Sequence, residues 1–432
     1  MKWKLHRNRS HMSIVVDFKV AGYSGIFSNF NTEKNRYYQN HINVLDLYRH
    51  SIANTSSQIF THTYVKKYGW KAIYRFGIAK SMSHVDNIFA VNYLNFHNFF
   101  CNAGHPLFSE PFLQGVFEQS VGADIFLNNV CSAPHIPTRT FPNIISRLIK
   151  NPFLLGDISD TTRHNSYHVG MIFSRLYAEQ IFSIPFLTHL HDLKKTHAVV
   201  CGNLEPDLAG QDPNLHWHAF EAKGATSESY LYSGMKKAKS QLASLKSINN
   251  DANITLSASG TLYNEKGVRT LLRDPEPTGE TTITLDWLSA ILSHYKYINL
   301  DFDLFSKADS FPSPHNFINL PYLSFSGRPF RMSVHTKVLN LLREINKTSQ
   351  AHPLYPEGMN IGKSDKANFS EIIMNRNYLS SHLQIEYNEI IRNLRDIINE
   401  ISGDRTFGNF STSIGLDGLC LQSSNLIYEN PL

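Results

Sequence analysis

At 432 residues the chain is longer than a typical single domain, so we expect two or three structural units. Hydrophobic residues make up 42% of it, which is enough for a buried core and excludes wholesale disorder. The formal net charge of +5 allows an anionic partner, but a protein that holds a long stretch of nucleic acid by charge alone is usually more basic.

The cysteines and the hydropathy pattern bear on the cellular compartment. Cys101, Cys131, Cys201 and Cys420 are widely scattered and form no C-x-x-C pair, a distribution typical of reduced thiols. No segment of the sequence has the ~18 uninterrupted apolar residues that a membrane span needs. The sequence therefore predicts a cytoplasmic protein with no membrane partner.

Residues 1–155 are predicted to form an accessory region of mixed α/β structure. Short strand-like pieces occur at 14–20 and 72–79, among helical stretches. The segment 88–100 is apolar on nearly every side of a helix. This pattern favours a buried helix and leaves a partner-binding surface as the alternative.

Residues 156–280 are predicted to form the central domain, in the order helix, strand, strand, helix, strand, strand. Apolar residues recur at helical spacing before Pro185, which ends the first helix. The predicted helices are 167–182 and 227–248, and the predicted strands are 198–201, 216–223, 254–258 and 268–272. A turn-rich linker at 274–280 closes this domain.

Residues 281–432 are predicted to form a second accessory region. A helix is expected near 285–297, and a long amphipathic helix over about 369–402, with Gly403 as its stop. The long helix is expected to pack on its own domain, because its heptad pattern is too short for a coiled coil. A hairpin is expected at 410–420. The two accessory regions are the expected contact surfaces for a partner protein or a second copy of the chain.

The residues with the clearest chemistry are Pro206-Asp207 and, after a short gap, Glu221-Ala222-Lys223 at the end of an apolar strand. Successive side chains of a strand alternate between its faces, so Glu221 and Lys223 project to the same side. Two carboxylates beside an ammonium suit Mg²⁺, which binds through one or two carboxylates, water and substrate phosphate. The metal would polarise the phosphate and acidify a water that Lys223 orients. The pattern therefore predicts a site for phosphodiester hydrolysis.

These residues resemble the signature of the PD-(D/E)XK nucleases, whose fold is called restriction-endonuclease-like. The match consists of Pro206, Asp207 and Glu221-Ala222-Lys223, and the resemblance covers roughly residues 160–275. It implies an α/β (α+β) core in which a mixed sheet is flanked by helices, with accessory regions on both sides.

The resemblance also implies a metal site. Asp207, Glu221 and the Ala222 carbonyl would bind Mg²⁺, with Mn²⁺ as a substitute, and Lys223 would position the attacking water. Glu179, near the end of the first helix, would add a metal-linked carboxylate. A simply exposed glutamate is the alternative for that residue.

The helix after the catalytic strand carries further polar residues. By the same resemblance, Gln241 would contact the metal-bound water or the substrate and would complete the catalytic set. Lys236, Lys237 and Lys239 would contact phosphates, which fixes the register of a nucleic acid without reading its bases. A solvated helix face is an equally good interpretation of the three lysines.

The predicted function is a metal-dependent endonuclease with DNA favoured over RNA, and, by analogy, an effector subunit of a prokaryotic restriction or defence system. The alternative is a catalytically silent module that keeps the fold and binds nucleic acid or a partner protein. A third and weaker option is a hydrolase that acts on nucleotides rather than polymers.

Acidic-x-Lys is a common pattern, and two further copies occur in this chain at Asp17-Phe18-Lys19 and Asp192-Leu193-Lys194. The first has too little chain before it for a helix and a metal-binding strand, and the second lacks a preceding Pro-Asp. For the copy at Glu221, the alternative is an ordinary strand that ends in a solvated Glu and Lys.

Overall fold

The protein is a mixed α/β structure, seen in a computed structural model. The described residues are 13–21, 37–53, 130–135, 145–150, 159–185, 187–195, 198–201, 205–295, 316–319, 330–354, 366–403 and 410–424. The predicted strand at 72–79 and the predicted apolar helix at 88–100 lie outside them. In the part of the chain that is described, no helix is long and apolar enough to cross a lipid bilayer.

The helices and strands of the described residues are numbered in chain order. The helices are α1 (Val44–Ala53), α2 (Ser159–Phe182), α3 (Leu190–Lys195), α4 (Glu228–Ala243), α5 (Trp287–His294), α6 (Thr336–Ala351) and α7 (Lys366–Gly403). The strands are β1 (Ser13–Ala21), β2 (Tyr38–Asn43), β3 (Val130–His135), β4 (Ile145–Lys150), β5 (Thr188–His189), β6 (Val199–Val200), β7 (Leu208–Gln211), β8 (Trp217–Ala225), β9 (Leu245–Ile248), β10 (Ile254–Asn264), β11 (Gly267–Arg273), β12 (Thr281–Leu285), β13 (Phe317–Asn319), β14 (Phe330–His335), β15 (Phe410–Ile414) and β16 (Leu419–Ser424).

The main sheet is mixed, with parallel and antiparallel neighbours. Among the described strands its order is β3-β4-β1-β11-β10-β8-β7-β5, and β2 pairs with β1 outside this path. Strand β8 runs parallel to β10 and antiparallel to β7. Because a parallel neighbour needs a crossover, the chain passes through α4 on its way from β8 to β10. The sheet is therefore mixed, as the sequence predicted.

The N-terminal strands belong to this same sheet. Strand β1 pairs in parallel with β11, with Phe18 opposite Thr270, although about 250 residues separate them in the sequence. Strands β2 and β4 also pair with β1. The expected boundary between residues 155 and 156 therefore runs through one continuous sheet.

The two faces of β8 are buried in different apolar clusters. Trp217 and Ala219 belong to the cluster that contains Met235 of α4. Phe220 and Ala222 belong to the cluster that contains Phe173 of α2. This division follows from the alternation of side chains along a strand. The odd-numbered residues of β8 therefore lie on the α4 side, and these include Glu221 and Lys223.

Helix α2 approaches β8 so closely that two glycines are required. A Cβ atom on Gly224 would lie 1.6 Å from the carbonyl oxygen of Ser166, and a Cβ on Gly170 would lie 2.7 Å from the Gly224 nitrogen. Only hydrogen atoms fit between the two backbones there. The helix ends at Phe182, as predicted, where Ser183 adopts a left-handed conformation with φ of 60°.

Several predicted elements of the central domain differ from the observed ones. Helix α2 begins at Ser159 instead of at residue 167, and β10 continues to Asn264 instead of ending at residue 258.

Two other elements differ because of strand pairing. The predicted helix 227–248 ends at Ala243, because the next residues form β9 and pair with β12. Strand β6 covers two residues of the predicted strand 198–201 and pairs with β12 outside the main sheet. Asp207 therefore lies directly before β7 of the main sheet, and the strand predicted to lead into it belongs to another sheet. In both cases pairing with a distant strand overrode the local pattern.

The C-terminal elements agree with the sequence. The long helix is confirmed as α7, and the expected hairpin is confirmed as β15 and β16. The helix expected near 285–297 is α5, which begins after its N-cap Asp286. In the described residues this hairpin joins β14 and β13 in a four-stranded sheet, and β6, β12 and β9 form a separate three-stranded sheet.

The close contact between α2 and β8 predicts the effect of a single methyl group. Gly224→Ala should lower the free energy of unfolding by at least about 3 kcal/mol, because the added carbon overlaps backbone atoms that cannot rotate away. Gly234→Ala on α4 is the matched control, since its Cβ would meet Lys223 at 3.5 Å, an ordinary contact. The control should gain about 1 kcal/mol from its higher helix propensity. Urea unfolding of both variants tests this, and a Gly224→Ala protein as stable as wild type would contradict the packing.

Candidate active site

The site is built on the hairpin of β7 and β8. In its register Leu208 lies opposite Phe220 and Ala209 opposite Ala219. One step beyond the last pair, Asp207 lies beside Glu221 on the neighbouring strand. The register of the hairpin therefore brings together two acidic residues that are 14 positions apart.

Hydrogen bonds between backbone and side chain fix both carboxylates. The Asp207 amide donates to Glu221 Oε2 at 3.1 Å, and the Ala222 amide donates to Asp207 Oδ2 at 2.8 Å. Bonds from backbone amides to carboxylates are strong and directional. The two acidic groups are therefore held in place before any ligand binds.

Lys223 completes the cluster. Its ammonium donates to Glu221 Oε1 and lies 3.8 Å from Asp207 Oδ2. Glu221 is nearly buried, with 2% of its side chain exposed, whereas 20% of Asp207 and 26% of Lys223 is exposed. The three residues named from the sequence thus converge at one point that is open to solvent on the side of Asp207 and Lys223.

The electrostatics of the pair favour a cation. Burial raises the pKa of Glu221 to about 7, with the neighbouring Asp207 charge adding to the rise and Lys223 opposing it. Burial also raises the pKa of Asp207, again against the effect of Lys223. Both shifts mean that the ionised forms are poorly solvated. A bound cation would stabilise the ionised pair.

The donor set fits Mg²⁺ in a partly hydrated state. Among the described residues, no group of three or more His, Cys, Asp or Glu could hold a metal. Mg²⁺ needs only one or two carboxylates, since it keeps several waters. Asp207 accepts a backbone hydrogen bond on Oδ2, and 20% of its side chain is exposed, so a ligand can reach it from solvent. The Asp207–Glu221 pair thus suits a metal that also binds water and phosphate.

The Ala222 carbonyl points from β8 towards the side on which Asp207 lies. The N–H and C=O of a strand residue point to the same side, and the Ala222 N–H points to Asp207. In the continued register Ala222 lies opposite Pro206, which has no N–H to donate. The proline therefore leaves this carbonyl free of a ladder hydrogen bond, and the carbonyl can serve as a ligand.

Glu179 does not belong to this cluster, so its predicted metal role is wrong. Both of its carboxylate oxygens accept from Arg49, at 2.9 and 2.8 Å, and His50 lies 3.6 Å away. Helix α2 covers the face of β8 that carries Phe220, opposite to the face of Glu221. Among the described contacts, none joins Glu179 to the site.

The remaining predicted residues lie on α4. Lys236, Lys237 and Lys239 are all exposed, and Lys236 and Lys239 line a groove on the flank of the helix. Gln241 is half-buried, two turns after Gly234, the glycine that faces Lys223. Since α4 runs back along β8, this spacing places Gln241 on the face directed at the strand.

The two other Asp-x-Lys copies lie in different surroundings. Asp17 is on β1, where Arg269 Nε lies 3.7 Å from its carboxylate. Asp192 and Lys194 are on the short helix α3, and Lys194 pairs with Glu205 at 2.9 Å. Arg269 and Gln39, not a second aspartate, lie opposite Asp17 on the paired strands.

Lys236 and Lys239 can be picked out in the sequence, but the basic groove that they line beside α4 cannot. Arg269 and Arg273 of β11 line it together with Tyr37 and Tyr232. Besides the two lysines, the only local signal is the spacing of the two arginines, which places them on one face of β11. Tyr37 comes from the N-terminal region, and no local pattern connects it with α4.

Comparisons with models of protein families, with curated proteins and with solved structures found no match to this chain.

The partnership of Glu179 with Arg49 predicts a loss of stability in Glu179→Gln. Removing one charge of a buried pair typically costs about 3–5 kcal/mol, because the other charge stays buried. Urea unfolding should show a free energy of unfolding that is lower by about 3 kcal/mol, the low end of this range, because glutamine keeps part of the hydrogen bonding. Any stabilisation by Mg²⁺ should be unchanged. A variant of normal stability that no longer responds to Mg²⁺ would instead assign Glu179 to the metal site.

The raised pKa of Glu221 predicts how stability and metal binding depend on pH. Its ordinary value is 4.5 and its folded value about 7, so the folded protein binds this proton more tightly than the unfolded chain. The Glu221 contribution to stability therefore falls as pH rises between these values. Mg²⁺ binds the ionised form, so its thermal stabilisation should be larger at about pH 8 than at about pH 5.5. Glu221→Gln should abolish this difference, whereas the exposed Glu265→Gln should keep it; an equal Mg²⁺ effect at both pH values would contradict the assignment.

Proposed function

We propose that this protein hydrolyses phosphodiester bonds of nucleic acid, with DNA favoured, in a Mg²⁺-dependent reaction at Asp207, Glu221 and Lys223. The observation that carries the proposal is the contact of the Lys223 ammonium with both carboxylates at one partly open point of the sheet. Mg²⁺ bound there would polarise the scissile phosphate and lower the pKa of a bound water.

The chain's own residues have separate tasks in this proposal. Asp207 and Glu221 hold the metal, and their hydrogen bonds to the backbone keep them preorganised. The Ala222 carbonyl adds a third oxygen. Lys223 is partly exposed, so its ammonium can orient the attacking water and stabilise the charge that develops on the phosphate.

The finer fold proposed for the central region is that of the PD-(D/E)XK nucleases. Its support is the resemblance of the motif together with the observed order of elements, in which α2 is followed by the hairpin β7–β8, then α4 and the parallel strand β10. A place in a prokaryotic restriction or defence system is proposed on the resemblance alone.

A catalytically silent binding module is the second candidate. The observation in its favour is the contact that the Lys223 ammonium already makes with Glu221, a side chain that is 98% buried. In that case the ammonium itself would neutralise the carboxylates, and the cluster would stabilise the hairpin. The two candidates differ in whether a metal changes the behaviour of the protein.

Cleavage assays of matched variants separate the two. Plasmid, linear DNA and RNA are incubated with purified protein in Mg²⁺ or in chelator. Lys223→Ala should lower the rate by about 10²–10³-fold, because an electrostatic stabiliser of the transition state is lost. Glu221→Gln should lose cleavage and Mg²⁺ binding together, because a neutral amide is a poor Mg²⁺ ligand.

The controls are Lys246→Ala and Glu265→Gln, two exposed changes of the same chemistry away from the site. Both should cleave as wild type does. Equal cleavage by all five proteins would reveal a contaminating nuclease. Binding without Mg²⁺-dependent cleavage in wild type would favour the silent module.

A further inference from the structure

A second candidate site lies on the flank of α4 away from Asp207. It is a groove of about 630 Å³ lined by residues of α4, β10 and β11 and by Tyr37. Its floor is apolar and includes Leu231, Met235, Leu262 and Leu271. Grooves of this size with an apolar floor and a few polar groups are typical of ligand sites.

Two tyrosines line the groove, Tyr232 from α4 and Tyr37 from the position directly before β2. Tyr232 on α4 is 77% exposed, and Tyr37 is 43% exposed. Lys19 Nζ lies 5.6 Å and Arg269 Cζ 5.8 Å from the centre of the Tyr37 ring, and such cation–π contacts steady the ring. An aromatic ring with so much exposed surface is available for stacking on a flat ligand.

The charge of the walls is strongly positive. Lys236 and Lys239 lie one and two turns after Tyr232 on the same face of α4, and Arg269 and Arg273 lie across from them. The single carboxylate among the lining residues is Glu228, which is 3.3 Å from Arg269 Nη1. Among the described contacts, Lys236 and Lys239 form no ion pair. The groove therefore combines exposed aromatic rings with two cations that an anion can neutralise.

We propose that this groove binds an unpaired nucleotide of a single-stranded nucleic acid. A base stacks on Tyr232 in the groove that Tyr37 also lines, and the flanking phosphates contact Lys236 and Lys239. A single strand is favoured because a base inside a duplex is already stacked and cannot reach an aromatic side chain. This inference rests on the proposed function in one respect, namely that the ligand is a nucleic acid. Helix α4 lies between this groove and Lys223.

Binding is measured by fluorescence anisotropy with the full chain, a labelled single strand of about ten nucleotides and chelator, which prevents cleavage. Tyr232→Ala should weaken binding about tenfold, as expected for the loss of one stacked base. Tyr232→Phe keeps the ring and should bind as wild type does. Tyr230→Ala is the matched control, because Tyr230 is 76% exposed on the same helix but does not line the groove.

The lysines are tested through the salt dependence. In Lys236→Gln/Lys239→Gln, the slope of log affinity against log salt should shrink by about 1.4, which is 0.7 for each lost phosphate contact of a single strand. The exposed Lys246→Gln, away from the groove, should leave the slope unchanged. Circular dichroism of each variant checks that it is folded.

The proposal would be overturned if wild type does not bind the strand or if Tyr232→Ala binds it equally well. It would also be overturned if wild type binds a duplex, or a nucleoside monophosphate, more tightly than the strand. The last of these results would assign the groove to a free nucleotide. Displacement of the strand by inorganic phosphate as readily as by the monophosphate would also overturn the role of the base. Because chelator is present, loss of the proposed cleavage with intact Tyr232-dependent binding would refute hydrolysis and leave this inference standing.

Discussion

The buried guanidinium of Arg49 is the interaction on which the arrangement of the three parts of the chain depends. Arg49 lies on α1, its bidentate partner Glu179 on α2, and Asp417 in the turn between β15 and β16, 3.6 Å away. A buried charge without partners costs several kcal/mol, so each element holds the others in position. A Cβ on Gly415 would lie 2.1 Å from Arg49 Nη1, which shows how closely the C-terminal turn approaches it.

The two clusters of buried acidic residues, around Glu179 and around Glu221, differ in the charges that compensate them. Burial raises the pKa of both Glu179 and Glu221 to about 7. At Glu179 the compensating charge is Arg49, whose side chain is 1% exposed, so the pair is closed to ligands. At Glu221 the compensating Lys223 is 26% exposed and a second carboxylate is adjacent. Access to solvent and an excess of negative charge make the second cluster a candidate site and the first a structural one.

The C-terminal region reaches the hairpin that carries the site. From α7, Arg392 donates to the Pro213 carbonyl at 2.5 Å, and Gln384 donates to Gln211. Both contacts hold the turn between β7 and β8, at the end of the hairpin opposite to Asp207. Helix α4 in turn separates Lys223 from the basic groove on its other flank. Contacts from the C-terminal region and from α4 therefore surround the hairpin that carries the candidate site.

The sequence by itself determined the features that depend on near neighbours. Glu221 and Lys223 project from the same face of β8 because side chains alternate along a strand. Helix α2 ends where it does because Pro185 cannot continue it. The sequence alone did not define the register that places Asp207 beside Glu221, because strand pairing depends on how both strands fit together. Only the tertiary structure decided that Glu179 binds Arg49, 130 residues away, and that Tyr37 lines the groove beside α4. Long-range partners leave no local period, so burial and charge pairing in the folded chain decide them.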